Sequence, residues 1–96
     1  MKLFVSHQAD DDLLQIYRYL AERNPAAADS LIREIDRKFE NLSFFPFIGR
    51  SRATLSPDLR SVVVHPYVIF YMVEHDRIVI VRVLHGHRDI DAEFQR

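Results

Sequence analysis

The sequence predicts an α+β fold in which an N-terminal helical hairpin packs on a small antiparallel sheet of three to four strands. Three observations carry this. Apolar residues recur at helical spacing to about residue 42, then give way to β-branched and aromatic runs from Leu59 onward. Asn24-Pro25 separates two helical stretches by a connection so short that they must lie antiparallel. A chain of 96 residues, 48% hydrophobic and without cysteine, has to hold one domain over residues 1–96 by apolar burial alone.

The elements follow in order. Leu3 to Val5 offer a short strand. Ala9, Leu13, Ile16, Tyr17 and Leu20 make one apolar stripe of a helix from about His7 to Arg23. Ser6 suits its N-cap, and Asp10, Asp11 and Asp12 sit in the first turns, where the helix dipole favours carboxylates. Asn24 caps a second helix whose stripe is Ala28, Leu31, Ile32, Ile35, Phe39 and Leu42, with Pro25 at its first position. Residues 43–58 contain two prolines and a glycine and keep no period, so they read as a long connection, aromatic at its start and basic in its middle. Strands follow at Ser61 to His65, Tyr67 to Val73 and Ile78 to Leu84, with Pro66 forcing a bend and Glu74 to Arg77 a tight turn.

The last two strands are apolar on both faces. Strict alternation puts Ile78, Ile80 and Leu84 on one side and Val79, Val81 and Val83 on the other. Two helices cover a single face, so either a partner chain or the 43–58 loop must cover the second.

Charge excludes several functions. Thirteen Lys and Arg against 14 Asp and Glu leave a net charge of −1, too little for a nonspecific grip on nucleic acid. No run reaches the roughly 20 apolar residues of a membrane span, and Met1 to Gln8 lack a signal-peptide core, so a cytoplasmic protein is expected. The distribution is uneven, however. Residues 1–48 hold six basic and eight acidic side chains, whereas Asp58 is the only acid within residues 49–73.

Arg50, Arg52, Arg60, Arg82 and Arg88 suit a phosphate- or carboxylate-binding patch if the fold gathers them. Arg82 interrupts an apolar strand, where a charge needs a carboxylate such as Asp89 or an acid on a helix. His85 and His87 end the last strand beside Arg88, a pairing suited to acid-base chemistry, while a metal site lacks its third ligand. With only Gly49 and Gly86 there is no glycine-rich phosphate loop, and no Ser-His-Asp order is present, so a conventional metabolic enzyme and a bound cofactor are not expected.

The strand end Val81 to Ile90, the Tyr67 to Tyr71 strand, the Pro46 to Arg50 loop and Leu59-Arg60, in this order, resemble the RelE/ParE superfamily of bacterial toxins, and its ParE branch in particular. The resemblance implies the toxin of a type II toxin-antitoxin pair that inhibits DNA gyrase and blocks replication without an active site of its own. It also implies a ParD-like antitoxin, which wraps the toxin and itself makes the contact with promoter DNA. On this reading Leu13, Ile16, Leu20, Phe70 and Val81 form the antitoxin groove. His85, His87, Arg88 and Asp89 form the gyrase-directed surface, with Arg50, Arg52 and Arg60 as a second basic element. The alternative implied by the superfamily is a ribosome-dependent mRNA endonuclease using His85, His87, Arg88 and Arg60. Against it, Val62-Val63-Val64 stand where basic residues are expected, and Phe94 replaces a C-terminal tyrosine. A nontoxic binding module of the same fold is a further alternative.

Overall fold

The computed structural model describes residues 1–95. Its elements are β1 (Lys2–Val5), α1 (His7–Arg23), α2 (Pro25–Phe44), β2 (Arg50–Ser51), β3 (Leu59–Val64), β4 (Tyr67–Glu74), β5 (Arg77–His85) and α3 (Ile90–Phe94). The strands form one sheet in the order β1-β5-β4-β3-β2. All pairings are antiparallel except β1 with β5, which is parallel because the helical hairpin carries the chain back between them.

Both helix starts are capped by the side chains the sequence nominates. Ser6 Oγ accepts from Ala9 N–H at 3.1 Å, and Asn24 Oδ1 accepts from Ala27 N–H at 3.1 Å. Asn24 also ends α1, donating its own N–H to Leu20 O at 2.6 Å, so a single residue closes one helix and opens the next. The hairpin buries Ala9, Leu31, Ile35 and Leu42 against Ile69, Tyr71, Ile78, Ile80 and Val83, with Leu13, Ile16 and Leu20 packed around them.

The structure bears out the α+β fold and refines four expectations within it. The sheet has five strands rather than three or four, because β2 adds two residues to an edge within the stretch read as loop, and α2 runs on to Phe44. The alternation along β5 breaks at a bulge. Phe70 pairs with Arg82 and Tyr71 with Ile80, so Val81 is the extra residue. Past the bulge the parity reverses, and Val83 rather than Leu84 joins Ile78 and Ile80 on the helix-facing side. Finally, this chain covers much of its own second sheet face. Leu55 from the long connection, with Ile90 and Phe94 from α3, packs on Leu59, Phe70 and Leu84, and the Phe94 ring meets Phe70 edge-on at 4.9 Å.

Where β1 ends, side chains take over its side of β5. Beyond Ile80 no strand among the described residues pairs with the outer edge of β5. There Ser6 Oγ donates to Val81 O at 3.0 Å, and the Asp12 carboxylate accepts Val83 N–H at 3.0 Å. The side chains of Ser6, the N-cap, and of Asp12 in α1 thus continue the ladder that β1 begins.

Candidate functional site

At the end of the sheet where β5 stops, α1 and the β3–β4 turn leave an open groove of about 590 Å³, lined by residues including Ile16, Tyr19, Leu20, Pro66, Tyr67, His85 and Arg88. It runs into a neighbouring hollow of about 310 Å³, which shares Leu20, Pro66 and Tyr67 and adds Leu31 and Glu34 of α2. The walls are apolar and aromatic, with charged groups at one rim. Tyr67 forms the floor, pairing with His85 across the ladder and meeting its ring edge-on at 5.3 Å. Burial, aided by the neighbouring Tyr19, pushes the Tyr67 hydroxyl above its ordinary pKa.

The rim is built by the chain's turn after β5. Gly86 N–H donates to Pro66 O at 2.8 Å and Arg88 N–H to His85 O at 2.9 Å, folding the chain back on itself. His87 N–H donates to His85 Nδ1 at 3.0 Å and the two imidazoles stack at 5.0 Å, leaving the Nε2 edge of His85 as its proton-bearing side. Among the described residues no cluster of three metal-capable side chains exists. Asp89 caps α3 by accepting Ala92 N–H at 3.2 Å, so its carboxylate is structural in this geometry.

Arg88 is anchored through a network that begins in the core. Arg82, 7% exposed, donates Nε and Nη2 to the Asp12 carboxylate at 2.8 and 3.0 Å and Nη1 to Glu93 at 3.1 Å. The second Glu93 oxygen accepts from Arg88. Hydrogen bonds from Arg88 first and Arg82 second hold the Glu93 carboxyl below the usual range, and the Asp12 hydrogen bond, outweighing burial, raises Arg82 further. The strand charge is therefore paired with acids on two helices, and not with Asp89. One bidentate pair and its extension tie α1, β5 and α3 together just below the groove.

The residues expected to form one antitoxin groove do not meet. Ile16 and Leu20 line it. Leu13 packs on the helix-side core, while Phe70, fully buried, and Val81 belong to the opposite face beneath α3. The reason is the alternation of the sheet, which sends Phe70 away from the helices that share a face with Tyr67 and Ile69.

The expected basic patch also divides. Arg60 pairs with Tyr71, four residues along β4 from the Tyr67 that faces His85, which places it about 13 Å along the strand from the groove rim. There Arg60 donates to Phe47 O and Gly49 O at 3.1 and 2.9 Å, and its guanidinium lies 5.2 Å from the Phe47 ring centre. Arg52 sits over Phe70 on the opposite face and donates to Ser61 Oγ at 3.3 Å; Arg50 is exposed on β2. His85, His87 and Arg88 are thus together, and Arg60 does not join them. The sequence marks Pro66 only as a bend, and nothing in a helix pattern marks Tyr19 as the exposed residue that borders a distant turn.

Comparison with known proteins agrees with this architecture. Residues 3–90 match the model of the family described as the ParE toxin of the type II toxin-antitoxin system, parDE. Toxin ParE3 of Caulobacter vibrioides is 34% identical over 83 residues, covering 85% of this chain and 83% of its own. Toxin RelE3 of the same bacterium is 35% identical over 83 residues, with 82% and 87% covered. A solved chain from the chromosomal ParDE system of P. aeruginosa superposes with a TM-score of 0.76 over 88% of this chain and 95% of that one, at 23% identity. With a family match spanning nearly the whole chain and the hairpin-on-sheet fold in common, this protein belongs to the ParE family of type II toxin-antitoxin toxins.

Proposed function

We propose that this toxin inhibits DNA gyrase in the cytoplasm and blocks replication, acting as a single domain without a catalytic centre, and that a ParD-like antitoxin neutralises it. The observation that carries the proposal is the contiguity of the groove with its charged rim. An apolar segment laid over Ile16, Leu20 and Tyr67 necessarily covers His85 and Arg88 at the same time. Binding in the groove and occlusion of the target-directed rim are then one event, which is what neutralisation requires.

The test is to incubate the purified protein with DNA gyrase and plasmid, and in parallel with translating ribosomes. Loss of supercoiling or stabilised DNA breaks is the expected result, and cut mRNA with unaffected gyrase would overturn the proposal. The His87→Ala/Arg88→Ala variant should lose inhibition while keeping antitoxin binding, because the apolar walls Ile16, Leu20 and Tyr67 remain in place.

The similarity to Toxin RelE3 supports a second reading, an mRNA endonuclease using His85, His87 and Arg88. Stabilising a phosphorane calls for cations converging on the histidines. Arg60 is held by backbone carbonyls elsewhere and Arg88 is shared with Glu93, so the gyrase reading is better supported.

A further inference from the structure

Two tyrosines are buried on the helix-facing side of β4, and they treat their hydroxyls differently. Tyr71 spends its own inside the protein, donating to Pro46 O at 2.8 Å and accepting Gly49 N–H at 2.9 Å. Tyr67 is 7% exposed, yet its hydroxyl has no hydrogen-bond partner among the described residues. Every fully enclosed side-chain polar atom described does have one, so this hydroxyl opens on the groove that Tyr67 floors. Tyr19 stands beside it, close enough to add to the rise in the Tyr67 pKa, and its hydroxyl likewise donates to no described group. The Tyr19 ring is held from behind by the Arg23 guanidinium, 3.8 Å from its centre. His85 completes the set: its Nδ1 accepts His87 N–H, so its proton stands on Nε2.

The acceptors around these donors are already committed. No carboxylate lines this part of the groove. Both oxygens of Asp12 and of Glu93 are taken by Arg82, Arg88 and Val83 N–H, and Asp89 caps α3. Glu22 lies 3.9 Å from Arg23, and Glu34 belongs to the adjoining hollow without bonding Tyr67. The groove therefore offers two hydroxyls and an imidazole N–H to whatever enters it, and a donor left unmet under an occupant costs about 1–3 kcal/mol. The occupant must bring an acceptor. A phosphate calls for a cluster of arginines, whereas one arginine stands here, on the rim and shared with Glu93. Apolar walls of Ile16, Leu20 and Pro66 suit a peptide that is apolar except at that point. A single carboxylate, which accepts several hydrogen bonds at once, fits both conditions.

We propose that Tyr67, Tyr19 and His85 form a subsite for one carboxylate side chain of the antitoxin segment, which rests on the reading of the groove as the antitoxin's seat. Arg88, with a side chain 54% exposed and paired to Glu93, lends a favourable field but is not required, since exposed charge pairs are worth little. The experiment titrates the full chain with the co-encoded antitoxin by calorimetry and compares Tyr67→Phe, which deletes a single oxygen. Affinity should fall about ten- to hundredfold, as for a lost hydrogen bond to a charged acceptor. The thermal midpoint of the free toxin should not fall, because that hydroxyl bonds no described part of it. Among single Asp→Asn and Glu→Gln replacements in the antitoxin, one should match this loss and be non-additive with Tyr67→Phe. Leu20→Glu tests the seat itself. If it and Tyr67→Phe both bind as the wild type does, the reading and the subsite fall together; if Leu20→Glu weakens binding and Tyr67→Phe does not, the subsite alone falls. A Tyr67→Phe loss coupled to no acidic residue overturns the carboxylate. Weaker binding of a short DNA duplex by Tyr67→Phe, with antitoxin affinity unchanged, would assign the donors to phosphate and also refute it.

Discussion

Replacing Asp12 by Ala asks whether an ion-pair network, beyond apolar contact, holds β5 to the helices. Its carboxylate accepts Arg82 Nε at 2.8 Å, Arg82 Nη2 at 3.0 Å and Val83 N–H at 3.0 Å. In the variant Glu93 remains as the acidic partner of a guanidinium only 7% exposed. Removing one member of a buried pair costs about 3–5 kcal/mol, and the retained Glu93 contact sets the expectation at the lower end, about 3 kcal/mol. At an unfolding entropy near 2 cal/mol/K per residue, a chain of this length loses about 15 °C in Tm for that change. Urea unfolding followed by circular dichroism measures it, with m unchanged if only the native state is affected. The companion variant Asp12→Leu/Arg82→Met leaves no charge unpaired and should recover all but about 1 kcal/mol. A loss below about 1 kcal/mol for Asp12→Ala, or a double variant no more stable than the single one, would refute the reasoning.

Tyr71→Phe removes the hydroxyl that joins Pro46 O to Gly49 N–H, so stability should fall by about 1–3 kcal/mol in urea melts, with earlier proteolysis between Phe44 and Gly49. Glu93 titrates below its ordinary 4.5, so its contribution is complete above that pH and is lost as pH falls through the lower folded value; Glu93→Gln should flatten the acid limb of an unfolding-versus-pH profile. Phe94→Ala uncovers Phe70 and should cost about 1–3 kcal/mol in chemical denaturation, with dye binding reporting the bared second face. Leu20→Glu places a charge in the groove and should weaken antitoxin binding at least about tenfold by calorimetry, leaving gyrase inhibition measurable.

Much of the fold is legible locally. The Ser6 and Asn24 caps, the two apolar stripes and the Glu74 to Arg77 turn depend on residues within a few positions of one another, and each appears where its pattern places it. Leu3 to Val5 form a strand, although nothing local announces that its partner is β5 in parallel. The candidate site was only partly legible. His85, His87 and Arg88 are neighbours in sequence and stay neighbours in space, whereas the register places Arg60 opposite Tyr71, four residues along β4 from the Tyr67 that faces His85.

By itself, the sequence determined the helical hairpin and the strand runs, since periodicity, caps and turn residues act over one or two turns of chain. Tertiary structure alone decided which side chains share a face. A single extra residue at Val81 reverses the parity of β5, and its register depends on Ser6 and Asp12, some 70 positions away, taking hydrogen bonds that no strand supplies. The cover on the second face is likewise long-range: Phe94 meets Phe70 beside Glu93, which pairs with a buried arginine eleven residues back. Such contacts have no signature in spacing, because the free energy that fixes them comes from groups brought together only once the sheet has formed.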